Sequence, residues 1–281
     1  MISFIVPAYN EAERIGATIA TILAVSEQLG VRPIDIVVVN DGSTDRTGEV
    51  LAELARKHDC IQVLENETNL GLGTAIKKGI AAVKYDRFVF VPGDNQMMEF
   101  MLRSLIVYRD AADLVFAWRI NVDARSILRN ILSSQYNMFC MLCFGAMINH
   151  VNATCVYPTE RVRALRLRGR RFSIAAELNL KLLRSGGTYC EIPGYDHPSD
   201  RIWRTLSLKN FVEIVGSFLW LLFDIHIAGR QTFNKVPQRV FIDFATPALG
   251  GPVGRVVEMQ AMRKDLSVSE RDTRARVHSK K

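Results

Sequence analysis

Four polar clusters in the first hundred residues carry the side chains that a phosphorylated ligand needs. They are Pro7-Ala8-Tyr9-Asn10-Glu11, Asn40-Asp41-Gly42-Ser43-Thr44-Asp45, Asn69-Leu70-Gly71-Leu72-Gly73 and Pro92-Gly93-Asp94-Asn95-Gln96. One such cluster would be ordinary turn chemistry. Four together suit the parts of a nucleoside diphosphate. Tyr9 offers a ring face to a base, and Glu11 and Asp41 can accept hydrogen bonds from base or ribose donors. Gly71 and Gly73 precede the helix-forming run Thr74-Ala75-Ile76-Lys77-Lys78, so backbone N–H groups at a helix start would seat an anion, with Lys77 or Lys78 as counter-charge. Asp94 and Gln96 supply oxygen ligands for a hard divalent cation riding on a diphosphate.

Such clusters need a frame, and the first 120 residues supply one. Short β-branched runs at Ser3–Val6, Ile34–Val39, Ile61–Leu64, Phe88–Val91 and Leu114–Ala117 alternate with helical spacing over Ala12–Leu29, Asp45–Lys57, Thr74–Val83 and Met97–Tyr108. That alternation predicts βαβ units and a mostly parallel sheet, and each polar cluster falls at or near a strand's carboxyl end, where ligands of open α/β sheets gather. A dinucleotide fold would place G-x-G-x-x-G in the first βα turn. Here that turn has no glycine, the glycine pair follows the third strand, and Ile76 stands where the third glycine would be. No G-x-x-x-x-G-K-[ST] run occurs either.

After Ile120 the pattern turns helix-rich, with one strand expected at Thr188–Ile192. The chain divides by composition into 1–120, a nucleotide-binding half; 121–210, which completes the same domain; 211–245, apolar and amphipathic; and 246–281, a basic tail expected to be disordered. The 281 residues hold 36 Lys+Arg against 29 Asp+Glu, net +7, which permits an anionic partner without choosing it. No nucleic-acid module is present, and no nucleic-acid partner is expected. Five scattered cysteines fit a reducing compartment, and Cys140-x-x-Cys143 reads as apolar packing within Met138–Met147. The N-terminus shows no secretory pattern. Phe211–Ile227 is apolar but carries Glu213 and Asp224, so a helix in the membrane interface or in the core is expected rather than a span.

Val6-Pro-Ala-Tyr-Asn-Glu11, Val39-Asn-Asp-Gly-Ser-Thr-Asp45 and Asn69-Leu-Gly-Leu-Gly73 together resemble the nucleotide-binding half of family 2 glycosyltransferases, in the polyprenyl-phosphate (dolichyl-phosphate) mannosyl synthase-like branch. The strong resemblance covers about residues 1–120. It is looser through Arg119, Phe172…Glu177-Leu178, Ile192-Pro193 and Arg201–Lys209. It implies an α/β GT-A (Rossmann-like) fold, with a mostly parallel sheet flanked by helices and a helix-rich C-terminal elaboration. It also implies donor binding by Pro7, Tyr9, Asn10, Glu11, Asp41, Asn69, Gly71, Gly73 and Lys77, and catalysis by Asp94, Arg119 and Arg204. The family pattern Asp-x-Asp-x-Gln is Pro92-Gly-Asp-Asn-Gln96 here. A divalent cation (Mg or Mn) on Asp94 and Gln96 is implied, held more weakly because Pro92 replaces an acid.

The implied reaction is inverting transfer of a sugar from a nucleoside diphosphate sugar to a lipid (polyprenyl) phosphate, or to a lipid-linked or polysaccharide acceptor. A phosphate acceptor is already anionic and needs no general base; a hydroxyl acceptor would need one, for which Glu177 and His197 are the candidates. Arg119, Arg201, Arg204 and Lys209 are suited to gripping phosphates. The six arginines of Arg161–Arg171 beside an aromatic, apolar segment fit peripheral contact with the cytoplasmic, inner face of a membrane. A catalytically inactive, donor-binding scaffold in a polysaccharide assembly complex is the alternative that Pro92 keeps open.

Overall fold

The computed structural model describes residues 1–121, 127–195, 197, 208–243 and 255–257. One eight-stranded sheet organises the chain: β1 (Ile2–Ala8), β2 (Ile34–Asp41), β3 (Ile61–Asn66), β4 (Arg87–Phe90), β5 (Leu114–Arg119), β6 (Thr154–Pro158), β7 (Thr188–Gly194) and β8 (Gln238–Arg239). Their spatial order is β3-β2-β1-β4-β6-β5-β7-β8, and only β6 runs antiparallel to its neighbours. A separate ribbon pairs β9 (Phe241–Asp243) with β10 (Arg255–Val257), so part of the tail expected to be without structure is a strand.

Both faces of the sheet are covered, which is why its strands read as nearly continuous apolar runs. Phe4, Val6, Ile36 and Val38 point into a core built with α1 (Ile15–Gln28), α2 (Thr47–Lys57) and α4 (Glu99–Val107). Ile5, Val37 and Val39, one residue out of phase, point into the opposite core with α3 (Leu72–Ala82), α5 (Ile127–Phe144), α6 (Thr159–Arg163), α7 (Ser173–Arg184) and α8 (Leu208–Phe223). The alternation follows from the two-residue period of a strand.

The second half corrects the expectation of a single strand. Thr154-Cys-Val-Tyr-Pro158 inserts as β6 between β4 and β5, with Val156 opposite Val89 on one side and Val115 on the other. Because β6 is antiparallel to both, β5 and β7 run in the direction of β1, and their carboxyl ends open at the same edge as the first four clusters. Burial pushes the Cys140 thiol up to about 12, and Cys140, Cys155 and Cys190 are all buried and unpaired, as expected of packing cysteines.

Among the described residues no helix is long and apolar enough to cross a membrane. α8 continues into a π-helical turn, Asp224–Ala228, and packs on α5 through Tyr136–Phe218 and Phe144–Phe218 ring contacts.

Candidate functional site

The first and second clusters are stitched together where β1 and β2 end. The Asn10 N–H donates to Ser43 Oγ at 3.0 Å, and Asn10 Oδ1 accepts the Thr44 N–H at 2.8 Å. The Glu11 N–H donates to Thr47 Oγ1 at 2.8 Å, and the Ala12 N–H to Asp45 Oδ2 at 3.2 Å. Asp45 Oδ1 also receives the Thr47 hydroxyl and N–H. Burial pushes the Asp45 carboxyl up, but the bonds from Thr47 and Ala12 outweigh it and the group titrates below its ordinary value.

Asp41, 3% exposed, turns inward to hold the third cluster. Its Oδ1 accepts Asn66 Nδ2 at 2.8 Å and the Leu70 N–H at 3.0 Å, and its Oδ2 accepts the Gly71 N–H at 2.8 Å. The fourth cluster is fixed to β1 and α1. The Val91 N–H reaches the Ile5 carbonyl at 2.8 Å and the Gly93 N–H the Pro7 carbonyl at 3.1 Å, so Pro92 sits where the ladder needs no donor. Thr18 Oγ1 donates to the Gly93 carbonyl at 3.2 Å and accepts the Asn95 N–H at 3.1 Å. Among the described residues, Asn10 (φ 56°) and Asn95 (φ 55°) are the non-glycine positions with left-handed backbone, and both lie in this site. Strained backbone of this kind concentrates at functional sites.

The β5 and β7 ends join the same rim. The Ile120 N–H, next to Arg119, bonds the Gly194 carbonyl at 3.0 Å, and the His197 N–H bonds the Gln96 carbonyl at 2.8 Å. Tyr9, 41% exposed, and the partly exposed Asp94, Gln96 and Arg119 thus stand at the same edge of the sheet, while Pro7 is buried at the end of β1. Asn69 stands exposed on the third loop, and Lys77 is half-buried one turn into α3. Arg201, Arg204 and the Lys209 side chain lie outside the described residues. The cation ligands expected from the sequence, Asp94 and Gln96, lie on the fourth loop, where Asp94 Oδ1 accepts the Gln96 N–H at 3.2 Å, and the described residues hold no cluster of three acidic, His or Cys ligands. That donor set fits a magnesium-like ion that completes its shell with substrate phosphates and water.

Two expectations are corrected. The open anion seat at Gly71 and Gly73 is filled by protein: the Arg170 carbonyl accepts the Gly73 N–H at 2.9 Å and the Thr74 N–H at 3.3 Å. A Cβ at Gly73 would lie 2.5 Å from the Gly169 carbonyl oxygen, and one at Gly71 (φ 92°) 2.7 Å from that of Arg170, so these glycines admit a crossing backbone. Lys78 is likewise spent on Asn66 Oδ1 at 2.8 Å and the Glu65 carbonyl. Glu177, read as a candidate base, is buried; it accepts the Arg168 and Gly169 N–H groups and pairs with Lys181 at 2.7 Å. Within the arginine run, Arg161 and Arg163 bond carbonyls at the ends of α7 and α3, and Arg168 lies 3.6 Å over the Trp220 ring.

Sequence reasoning missed Thr18 and Thr47 as anchors of the site. Each is a threonine within a helical pattern, and only its distant partner reveals the role.

A family model described as glycosyl transferase family 2 matches residues 3–154. A dolichyl-phosphate beta-glucosyltransferase of Trichomonas vaginalis is 34% identical over 187 residues, 57% of this chain and 55% of the relative. An undecaprenyl-phosphate 4-deoxy-4-formamido-L-arabinose transferase of Pectobacterium carotovorum is 34% identical over 175 residues, 57% of this chain and 52% of the relative. The chain spans about half the length of the curated relatives it matches. Among solved structures, glucosyl-3-phosphoglycerate synthase from Mycobacterium tuberculosis, in complex with Mn2+, uridine diphosphate and phosphoglyceric acid, superposes with a TM-score of 0.57. That match has 17% identity and covers 79% of this chain and 78% of the other, a likeness of GT-A fold.

Proposed function

Because the chain belongs to glycosyl transferase family 2, we propose that it moves a sugar from a nucleoside diphosphate sugar to a lipid phosphate, with inversion at the anomeric carbon. The observation that carries this reading is the convergence of the four sequence-distant loops and the Arg119 end of β5 at one edge of the sheet, where hydrogen bonds tie neighbouring loops together. By the family resemblance Tyr9 and Glu11 would hold the base and ribose, and Asp41 would serve the donor by fixing the Asn69–Gly73 loop.

A lipid phosphate oxygen attacks the anomeric carbon from the face opposite the diphosphate. One C–O bond forms, the bond to the diphosphate breaks, and the nucleoside diphosphate leaves with the electron pair. The acceptor carries its own negative charge, so no side chain has to remove a proton, in keeping with a Glu177 that is occupied elsewhere. When bound on Asp94 and Gln96, a divalent cation would neutralise charge building on the diphosphate. Arg119 stands at the same rim to grip phosphate, a task for which a guanidinium is suited. Arg204 is proposed for the same work from the sequence pattern alone.

The relatives named above are transferases for dolichyl and undecaprenyl phosphate, and the surface of this chain suits a lipid-borne acceptor. Ile131, Phe139 and Leu142 of α5, the last 75% exposed, and Leu219 and Phe223 of α8 present large apolar side chains to solvent. Arg166 and Arg170 stand exposed in the segment that α8 packs on. An apolar helical face beside arginines is the chemistry of peripheral contact with an anionic membrane face.

Pro92 favours a second reading, a donor-binding scaffold without turnover. Mass spectrometry of products from a panel of nucleoside diphosphate sugars with polyprenyl phosphate and Mn2+ separates the two. The enzyme reading expects a glycosyl lipid phosphate from the native chain and none from Asp94→Ala. Nucleotide binding without product from either would establish the scaffold.

A further inference from the structure

A buried charged group runs through the core beneath the arginine segment. Lys181, 1% exposed, places Nζ 2.7 Å from Glu177 Oε1, 2.6 Å from Asp224 Oδ2 and 2.7 Å from the Arg166 carbonyl, which uses all three of its donors. Glu177, 3% exposed, turns both oxygens to the Arg168 N–H at 3.0 Å and Oε2 to the Gly169 N–H at 2.7 Å. The next carbonyl, that of Arg170, is the one that closes over the first turn of α3 at Gly73 and Thr74, while Asp41 holds Leu70 and Gly71 from the other side.

An ion pair this deep among Ile174, Leu178 and Leu182 is a poor device for stability, since desolvation of both charges offsets their attraction and apolar replacements of similar volume are often as stable. Its bonds to main chain point to another use. We propose that Glu177 and Lys181 are positioning residues of the donor cleft: the pair sets the path of Arg166–Arg170, and that path sets the Asn69–Thr74 loop against Asp41. This deepens the donor-site reading above and rests on it for the nature of the ligand. Asp224 and Trp220 bring α8 into the same arrangement, through Lys181 and through the guanidinium of Arg168. The acid that interrupts the apolar 211–227 run thereby acquires a partner.

The test compares the native chain with Lys181→Met, Glu177→Gln and the double variant Glu177→Leu/Lys181→Met. The readouts are thermal unfolding, amide hydrogen exchange across Leu70–Thr74, and affinity for UDP and GDP with Mn2+. Lys181→Met lowers the melting temperature by leaving the buried Glu177 and Asp224 without their cation, and the double variant, which removes the buried carboxylate, recovers most of the loss. Positioning requires that the recovered double variant still exchange faster at Leu70–Thr74 and bind nucleotide roughly tenfold more weakly, because the Arg168 and Gly169 N–H groups stay without their acceptor. Glu177→Gln, which turns an amide N–H toward those donors or loses one bond, gives the same loosening at smaller amplitude. Recovery of melting temperature, exchange and affinity together overturns the proposal and leaves the pair a packing element. Faster exchange in the variants, with no nucleoside diphosphate bound by the native chain, supports the tie and overturns the donor reading instead.

Discussion

Replacing Asp41 by Asn removes one oxygen and one charge from a carboxylate whose bonds are all counted: Asn66 Nδ2 and the Leu70 N–H on Oδ1, the Gly71 N–H on Oδ2. The Asn side chain has two orientations. Pointing its NH2 at Gly71 loses one bond, and pointing it at Asn66 and Leu70 loses two, so the first prevails. The lost charge-assisted bond is worth about 1.5–3 kcal/mol, and the two that survive weaken to neutral bonds of about half the strength. The sum is about 3–6 kcal/mol of local stability in the Asn69–Gly73 loop, which at its lower end is roughly a hundredfold faster opening by the rule of 1.4 kcal/mol per decade. Amide hydrogen exchange reads this at Leu70 and Gly71, with amides of β1 and β2 as internal references. Exchange within threefold of the native chain at both amides would refute the assignment of Asp41 as the anchor of this loop and return it to direct ligand contact.

Gly73→Ala is expected to destabilise by about 1–3 kcal/mol in thermal unfolding, because its Cβ would meet the main chain of Gly169 and Arg170 and overpacking against backbone cannot relax. Gly16→Ala, where a Cβ meets nothing within 4 Å in the first turn of α1, serves as the control and gains about 0.4–1 kcal/mol. The depressed Asp45 carboxyl contributes stability that is fully present above its unfolded value of about 4 and is lost as pH falls through its folded value. Denaturation of native and Asp45→Asn proteins between pH 6 and pH 3 should converge at the acid end; parallel curves would remove Asp45 from the account. Pro92→Asp restores a second carboxylate beside Asp94 without breaking a hydrogen bond, since the ladder uses the N–H groups of Val91 and Gly93. Calorimetry should find tighter Mn2+ binding in the presence of nucleoside diphosphate, and unchanged affinity would place the ion elsewhere.

The first half of the chain was legible because its signals are local. A β-branched run such as Ile34–Val39 reads as a strand whatever surrounds it, and the helices α1 to α4 follow from apolar spacing within two or three turns. The turn residues that end each strand are local too, so the sequence pattern alone places Tyr9, Asp41, Gly71 and Asp94 at strand ends, and regular βαβ succession puts those ends on one edge. The second half was less legible. Thr154–Pro158 is a strand because an opening exists between β4 and β5, not because of its own pattern, and the same five residues within an apolar stretch pass for helix or loop.

The type of site therefore belongs to the sequence: four polar loops gathered at the carboxyl edge of a mostly parallel sheet. The assignment of tasks within it belongs to the tertiary structure. Gly71 and Gly73 carry the pattern of an anion seat, yet the segment at Arg170, almost a hundred residues further on, crosses them and takes the N–H groups. Glu177 has the chemistry of a base, yet its α-helix turns it into the core against Lys181. Residue type and spacing fix what a side chain is able to do. Which distant backbone arrives beside it is set by packing the two apolar faces of the sheet, and no local pattern encodes that path.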